Sequence, residues 1–389
     1  MCGMKILVIG GDPSIFNKDS ENFSRISEYA GLFDELHIVS FTAPGFKKAE
    51  FSPNLFLYPT NTFFAPLRAW DAYRIGRNIA KARQVDIIDA QDSGEAGLVA
   101  YLISRITKIP FRIQIHTDIF SPYYRRASWK ERVRFMLAKF LIPRANCIRV
   151  VSERIKSSII SNFPAFAEAT AGRQFPISKI SVLPIFTDIS KFIEAKPDPR
   201  IEDRFRNYDF KMVAVGRLLD KEKNFSMLIE VMRDFIKICP KAVLALVGSG
   251  SDEEKYRILI KRYGLENHVI IEPWRDDLPS FLKSFDLFLL PSNYEGWGRA
   301  VTEAMAAGLP VVMTDVGLAG EIVKEGVNGI VVPVGDKKSF LRVLTELYQN
   351  PGKRKNLALA GENSVKNLNP KTKEEYLGAY EKSMRSCLL

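Results

Sequence analysis

The chain has 389 residues, too many for one ordinary hydrophobic core, so two domains are expected. Apolar residues make up 46% and charged residues 26%, proportions that are typical of a folded globular protein and exclude extended disorder. The net charge of +11 lies mainly in the first half, since residues 1–190 hold 25 Lys and Arg against 17 Asp and Glu.

The cysteines and the N-terminal residues indicate the compartment. Cys2, Cys147, Cys239 and Cys387 lie far apart without a C-x-x-C pair, which argues against a zinc site and against a disulfide framework. The opening MCGMKILVIGG lacks the basic and apolar regions of a signal peptide. No apolar run reaches the length of about 18 residues that spans a bilayer. We therefore expect a reduced, cytoplasmic protein.

Short apolar runs rich in β-branched residues alternate with helical patterns, which predicts an α/β protein with parallel sheets and crossover helices. Strands are predicted in the first half at 4–10, 35–41, 85–91, 111–116, 147–152 and 179–184. In the second half they are predicted at 210–216, 242–248, 268–273, 287–292, 310–315 and 329–334. Two Rossmann-like units follow from this order.

Composition places the domain boundaries. The predicted segments are an N-terminal Rossmann-like domain at 1–191, a linker at 192–207, a C-terminal Rossmann-like domain at 208–369 and a C-terminal helix at 370–389. The linker holds Pro197 and Pro199 among charges and has no apolar periodicity. An Ala-rich stretch at 163–176 is interpreted as a loop or insertion. The last helix is expected to pack back on the N-terminal domain.

Ligands of open α/β sheets bind beyond the carboxyl ends of the strands, so the residues that follow each strand are candidates. Gly10 and Gly11 follow the first strand and permit a close backbone approach to a ligand, although VIGGDPS lacks the G-x-G-x-x-G spacing. His116 ends FRIQIH and is the one histidine of three predicted at a crevice. A lone histidine in this place is either a structural residue or a site residue.

The window 120–156 is the most basic part of the chain, with ten Lys and Arg against two Glu, and aromatic residues alternate with the basic ones. A helix of this composition lies at an anionic membrane surface or holds a phosphorylated lipid. The alternative is an ordinary amphipathic helix with a basic outer face. Nucleic-acid binding is not expected, because no recognisable motif accompanies the charge.

The segment VGRLLDKEKNF at 215–225 places Arg217, Lys221 and Lys223 just after a predicted strand. A guanidinium and an ammonium in this position can hold a diphosphate without a metal ion. The alternative is a solvated loop in which Asp220 and Glu222 pair with the lysines.

The segment NYEGWGRAVTEAMAAGLPVV at 293–312 sets Glu295 and Glu303 eight positions apart. Gly296 and Gly298 flank Trp297 and let the backbone approach a ligand, and the helix that follows offers unpaired N–H groups at its N terminus. The two carboxylates can accept hydrogen bonds from two sets of sugar hydroxyls. Alternatively, Glu295 only favours the helix dipole and Glu303 is a solvated helix residue.

These motifs together carry a family resemblance. E-G-W-G-R-A-V-T-E-A-M-A-A-G-L-P-V-V resembles the E-x7-E segment of retaining glycosyltransferases of the group 1, or family 4, kind, which have the two-domain GT-B fold. Similar motifs are G-R-L-x-x-K-x-K-N at 216–224, V-G-S-G at 247–250, P-W-R-D-D-L at 273–278 and N-G-I-V-V-P at 328–333. They follow the family's order through nearly the whole second domain. The first domain resembles the family more loosely, through the glycine turn and H-T-D at 116–118.

The resemblance implies that the N-terminal domain binds the acceptor and that the C-terminal domain binds the nucleotide-sugar. It also implies a role for each matching residue. Arg217, Lys223 and Gly11 would hold the donor diphosphate; Glu295, Gly296, Trp297, Gly298 and Glu303 would contact the donor sugar and ribose; Pro273, Trp274 and Arg275 would meet the base. His116 and Glu295 are the implied catalytic residues. Lys221 is disfavoured, because the family pattern places the lysine just before Asn or Gly.

The implied activity is a retaining transfer of a sugar from a nucleotide-diphosphate sugar to a lipid-linked or envelope glycan acceptor. No convincing nucleophile appears, so attack on the same face within an ion pair is expected. We expect no metal and no cofactor, because Arg217, Lys223 and a helix N terminus can stabilise the leaving diphosphate. Two alternatives remain: a nucleotide-sugar 2-epimerase of the same fold, and a non-catalytic, membrane-associated binding protein.

Overall fold

A computed structural model of the chain describes residues 3–163, 177–368 and 370–388. The chain divides into two compact units: Met1–Pro184 with Glu374–Leu389 form the first, and Ile185–Lys373 form the second. The insertion predicted at 163–176 lies, from residue 164 onward, outside the described residues.

The first unit is built on an eight-stranded sheet in the order β3-β4-β2-β1-β5-β6-β7-β8. All neighbouring strands are parallel except the antiparallel pair β3 and β4. Its strands are β1 (Lys5–Ile9), β2 (Glu35–Ser40), β3 (Ala49–Ser52), β4 (Leu55–Pro59), β5 (Ile87–Ala90), β6 (Phe111–Ile115), β7 (Cys147–Val150) and β8 (Ile180–Val182). The helices between them are α1 (Glu21–Ala30), α2 (Ala65–Arg83), α3 (Glu95–Thr107), α4 (Pro122–Ala127), α5 (Trp129–Leu141) and α6 (Glu153–Asn162).

The second unit is built on a six-stranded parallel sheet in the order β11-β10-β9-β12-β13-β14. Its strands are β9 (Phe210–Val215), β10 (Ala242–Val247), β11 (Val269–Glu272), β12 (Leu287–Leu290), β13 (Val311–Thr314) and β14 (Ile330–Val332). Its helices are α7 (Ser190–Glu194), α8 (Pro199–Arg204), α9 (Asp220–Lys223), α10 (Phe225–Phe235), α11 (Glu253–Arg262), α12 (Leu278–Leu282), α13 (Arg299–Ala306), α14 (Lys337–Gln349) and α15 (Pro351–Lys366). Apart from the partly buried Lys211 of β9, the central strands are apolar and buried, because helices cover both faces of a parallel sheet.

These two sheets confirm the predicted α/β class with two parallel-sheet domains, and every predicted strand overlaps an observed one. The sequence analysis missed the hairpin of β3 and β4. Its outer strand β3 lies at the sheet edge and is only partly buried, so it shows neither a long apolar run nor a clear alternation. None of the described helices is long and apolar enough to cross a bilayer.

The range 192–207, predicted as a linker, lies within the second unit and contains most of α7 and all of α8. Asp198 caps α8 by accepting a hydrogen bond from the Arg200 N–H, and Pro199 takes the first helical position, where its missing N–H costs nothing. Phe192 and Phe205 are buried. Pro199 therefore starts a helix within the range that the composition predicted as a linker.

The C-terminal helix α16 (Lys373–Arg385) packs against the first unit. Its Tyr380 ring stacks on Tyr29 of α1 with centroids 4.4 Å apart. The fully buried Arg112 of β6 donates a hydrogen bond from Nη2 to Ser383 Oγ at 2.9 Å. Helix α16 thus supplies a hydrogen-bond partner to a polar side chain that is buried on the sheet.

Cys147 of β7 and Cys387 after α16 form a disulfide, with Cα atoms 5.3 Å apart. The expectation of a chain without disulfides was wrong. The two residues lie 240 positions apart, and they meet only because the chain returns to the first unit at its end. Cys239 is a free, buried cysteine.

Backbone hydrogen bonds join the loops at the carboxyl ends of β9, β10 and β11. The Gly216 N–H donates to the Val247 carbonyl at 3.0 Å, and the Gly248 N–H donates to the Glu272 carbonyl at 2.9 Å. Gly248 has φ +149°, and a Cβ added there would overlap the carbonyl oxygen of Gly216. A side chain at position 248 would therefore force these loops apart.

We expect Gly248→Ala to lower the free energy of unfolding by about 2 to 4 kcal/mol, because backbone atoms and not a flexible side chain block the new methyl group. Chemical denaturation followed by circular dichroism measures the loss. Gly352→Ala in α15 is the matched control, since nothing lies within 4 Å of its added Cβ. Equal stability of the two variants would contradict the steric argument.

Candidate functional site

The loop after β12 leads directly into α13 through the E-G-W-G segment. Gly298 immediately precedes the helix with φ +94°, a conformation that favours glycine, and Trp297 is buried. Gly298 has no side chain that could cap the N terminus of α13 by a hydrogen bond. The positive end of the helix dipole lies where this loop enters the helix, a position that favours an anionic or hydroxylated ligand.

A buried ion pair connects this loop to the loop after β9. Lys223 Nζ contacts Glu295 Oε1, and the two side chains are only 12% and 9% exposed. Ser292 Oγ donates a second hydrogen bond to Glu295 Oε1 at 2.8 Å. Burial opposes the ammonium form of Lys223, but the negative charges of Glu295 and Glu222 outweigh it and raise the lysine pKa. Lys223 is therefore a fixed cation at neutral pH.

Arg217 has a different environment from Lys223. Its side chain is 71% exposed, and its Nη2 donates to Glu222 Oε2 at 2.7 Å. Glu222 Oε1 also lies 3.4 Å from Lys223 Nζ, so one carboxylate contacts both residues that are predicted to bind the diphosphate. Asp220 pairs with Lys255 at 2.6 Å. The alternative of a charged loop is thus correct for the pairing of Glu222 with Lys223, but Lys223 is not solvated.

Asn293 fixes the two loops against each other. Its backbone N–H donates to the Glu222 carbonyl at 2.8 Å, and its Nδ2 donates to the Lys221 carbonyl at 3.1 Å. The sequence analysis assigned no role to Asn293 or Ser292, and it named Glu222 only as a partner of the lysines in a solvated loop. Their position beside motif residues was the available signal, but their contacts depend on the pairing of β9 with β12.

Glu303 lies on α13 and is buried, with Oε1 2.9 Å from Arg299 Nε. The alternative of a solvated helix residue is therefore wrong. The loop after β13 packs on the same segment, since a Cβ at Gly317 would lie 2.9 Å from Glu295 Cβ and 2.7 Å from the Trp297 carbonyl oxygen. The carboxyl ends of β9, β12 and β13 thus converge around Glu295.

The residues predicted to meet the base follow β11. Trp274 exposes 52% of its surface. Arg275 donates to Asp277 at 2.8 Å and to Glu272 at 3.2 Å, and its guanidinium lies 4.5 Å from the Phe281 ring centroid. Arg275 is therefore held by acidic neighbours, and Trp274 is the side chain that offers a free stacking surface.

His116 belongs to the first unit and follows β6 at the carboxyl edge of its sheet. Burial and the positive charges of Arg149, Arg25 and Arg112 lower the pKa of His116 to about 3. The imidazole is therefore neutral at physiological pH, and it can donate one hydrogen bond and accept another without carrying charge.

Gly11 also lies in the first unit, after β1, with φ +132°. Its carbonyl accepts a hydrogen bond from Ser40 Oγ at 3.0 Å. Gly11 borders a cavity of about 90 Å³ whose polar lining is Asp12, Asn22, Arg25, Tyr29, Gln91 and Tyr380. Its role at the diphosphate stays a prediction, because Arg217 and Lys223 belong to the second unit.

Across the described ranges, no group of three or more His, Cys, Asp or Glu side chains is placed to hold a metal ion. The second unit instead brings together Arg217, Lys223, Glu295 and the N terminus of α13. Positive charge and hydrogen-bond donors thus lie beside a carboxylate, a combination that suits a phosphorylated ligand carrying hydroxyl groups.

Two family models match the chain. The model described as "Glycosyl transferases group 1" matches residues 198–364, and "Glycosyltransferase Family 4" matches residues 27–170. An Escherichia coli relative, "UDP-Gal:alpha-D-GlcNAc-diphosphoundecaprenol alpha-1,3-galactosyltransferase", is 30% identical over 176 residues, which are 43% of this chain and 45% of the relative. The chain spans about half the length of the curated relatives it matches.

Solved structures match over the whole length. Anabaena HepE in complex with UDP and glucose is 20% identical, covers 99% of each chain and has a TM-score of 0.72. The sucrose-phosphate synthase of Thermosynechococcus elongatus is 19% identical, covers 99% of each chain and has a TM-score of 0.77. At these identities the likeness shows the fold, which is GT-B. The two matched family models together span most of the chain, and they show that it belongs to the group 1 glycosyltransferases.

Proposed function

We propose that the protein transfers a sugar from a nucleotide-diphosphate sugar to a glycan or lipid-linked acceptor, with retention of anomeric configuration and without a metal ion. The observation that carries this proposal is the cluster of Lys223, Glu295 and Arg217, which lies in the same unit as the N terminus of α13. The family membership and the resemblance of 295–312 to retaining enzymes support it.

The donor diphosphate would bind to Arg217 and Lys223. Arg217 is exposed, and a diphosphate can replace Glu222 as its partner because phosphate oxygens accept the same forked hydrogen bonds. Lys223 keeps its charge because its pKa is raised. With the partial positive charge of the α13 N terminus, these groups stabilise the charge that develops as the sugar leaves.

The carboxylates would bind the two sugars of the donor. Glu295 accepts hydrogen bonds from the transferred sugar while Ser292 and Lys223 hold its orientation. Glu303 accepts from the ribose hydroxyls. In the transfer, the bond from the anomeric carbon to the diphosphate breaks, the acceptor oxygen bonds to that carbon on the same face, and the acceptor proton passes to the departing diphosphate.

A uridine nucleotide is the first donor to test, because the names of the Escherichia coli relative and of the Anabaena structure contain UDP. The relative's name also contains a diphosphoundecaprenol acceptor, and a Staphylococcus aureus relative is named for capsular polysaccharide biosynthesis. We therefore propose a role in polysaccharide biosynthesis at the cytoplasmic face of the plasma membrane. Neither the epimerase nor the binding-protein alternative gains support from these relatives.

Thermal unfolding with UDP, GDP, ADP, CMP and dTDP tests the donor site. A nucleotide at about 100 times its Kd should stabilise the protein by roughly 2.7 kcal/mol, which raises the Tm by several degrees. We expect UDP to give the largest shift. The matching sugar nucleotide is then incubated with and without acceptor glycan. Turnover without acceptor would identify an epimerase, and the absence of a shift with every nucleotide would contradict the proposed donor site.

Glu303→Gln should weaken UDP binding roughly tenfold, because an amide replaces the charged acceptor of the ribose hydroxyls. Isothermal titration measures the Kd. Arg299→Gln is the matched control, since it breaks the same ion pair but keeps the carboxylate. If both variants lose UDP affinity equally, Glu303 acts only through its ion pair and does not bind the ribose.

His116→Asn should lower kcat while leaving the UDP Kd unchanged, because His116 is assigned to the sugar and not to the nucleotide. The stability of this variant should also respond less to acid. His116 has an ordinary pKa of 6.5, which the fold lowers to about 3. The neutral histidine therefore stabilises the fold above pH 6.5, and this contribution is lost as the pH falls toward 3.

Chemical denaturation at pH 7 and pH 5 measures this effect. The wild type should lose up to about 2 kcal/mol more than His116→Asn between these values. His268→Asn serves as the control, because His268 lies outside the candidate site and bonds to the Ala242 carbonyl. An equal acid sensitivity of His116→Asn and the wild type would show that His116 is not held neutral.

A further inference from the structure

The outer face of α5 carries an apolar stripe. Trp129, Val133, Met136 and Phe140 are 70%, 45%, 69% and 41% exposed. Their spacing of four, three and four residues places them in one row along the helix. Large apolar side chains that are exposed in such a row mark an interaction surface more often than isolated ones do.

Helix α5 has an acidic side chain on its buried face and apolar side chains on its exposed face, the reverse of an ordinary surface helix. Glu131 is buried, with its carboxylate in contact with Ser128 Oγ and 3.7 Å from Arg134 Nη1. Ala138 and Leu141 share the buried face. The sequence analysis left open an ordinary amphipathic helix with a basic outer face, and the structure contradicts it, because the row farthest from the core is apolar.

The neighbouring helix extends this surface. Helix α3 packs against α5, where the rings of Tyr101 and Phe140 meet edge to face at 5.5 Å. Leu102 and Ile106 of α3 are 41% and 52% exposed. We call the exposed side chains of α5 and of this part of α3 the α5 face. Helix α2, which packs on α3, adds the exposed Leu67 and Trp70 to the same layer.

Basic residues border the stripe on both sides. Lys130 lies to one side of it, and Arg132 and Lys139 lie to the other, and all three are exposed. The one acidic residue of α5 is the buried Glu131. The α5 face therefore combines an apolar centre with a positive border, which complements a surface that is apolar inside and anionic outside.

We propose that the α5 face docks on an anionic lipid bilayer, with α5 lying in the plane of the headgroups. Trp129 and Met136 enter the boundary of the acyl chains, while Lys130, Arg132 and Lys139 reach lipid phosphates. A protein partner is disfavoured, because a protein surface presents its acidic groups at fixed positions. Long basic side chains around a narrow apolar row instead match lipid phosphates, which have no fixed arrangement. The proposal names the surface at which the proposed transferase meets its acceptor, but it requires nothing of the donor site.

Flotation of the full chain with vesicles tests the proposal. We expect binding to vesicles of equal parts phosphatidylcholine and phosphatidylglycerol, and little binding to phosphatidylcholine alone. Lys130→Gln with Lys139→Gln should weaken binding roughly 30-fold, since each basic residue near an anionic surface contributes about 1 kcal/mol. Trp129→Ser with Met136→Ser should weaken binding at least roughly tenfold, because less apolar surface enters the bilayer.

The control is Ile258→Ser with Val327→Ser, which removes two side chains of the second unit that are 58% and 65% exposed. It should bind vesicles like the wild type. All variants should keep the thermal shift with UDP, which separates a failure of docking from a failure of the donor site.

Three results would overturn the proposal. The wild type could fail to bind anionic vesicles. The variant with Trp129→Ser and Met136→Ser could also bind them as well as the wild type does. Analytical ultracentrifugation could also show a wild-type dimer that this variant converts to a monomer, which would assign the α5 face to self-association.

Discussion

The candidate site depends on one buried ion pair, that of Lys223 with Glu295. Two charges removed from water cost free energy, and replacing such a pair by packed apolar residues is often neutral or stabilising. Stability alone therefore does not account for a lysine and a glutamate that are about nine-tenths buried at the ends of β9 and β12. The pair instead keeps a permanent cation and an oriented carboxylate at the place where two loops meet. Ser292 and Asn293 complete this arrangement through hydrogen bonds to the same loops.

Much of the fold could be predicted because parallel strands covered on both faces are short, uniformly apolar runs. The runs that became β9, β10 and β12 show no polar alternation, and turn residues bound each of them. The same regularity located the candidate residues. Arg217 and Glu295 each follow a strand, and the carboxyl ends of parallel strands lie at one edge of the sheet. The resemblance then supplied their roles, which the spacing alone left open.

The remaining features arise from contacts that periodicity does not report, some between distant segments and some within one loop or helix. The pairing of Cys147 with Cys387 requires α16 to lie beside β7. The contact of Glu222 with both Arg217 and Lys223 requires the local fold of α9. For α5, the sequence showed alternating basic and aromatic residues, but it did not show which row faces the core. The burial of Glu131 decided that orientation, and it depends on partners within the first unit.

The donor site and the α5 face both use positive charge, but in physically different ways. At the donor site Lys223 is buried and held by two carboxylates, so it presents one geometry and is weakly screened by salt. On the α5 face Lys130, Arg132 and Lys139 are exposed, so salt screens their charges strongly. Charged groups held in one geometry select a ligand by its shape, whereas exposed charges around an apolar row select a surface only by its charge. The two surfaces therefore suit the two tasks proposed for them, recognition of one nucleotide sugar and reversible attachment to many lipids.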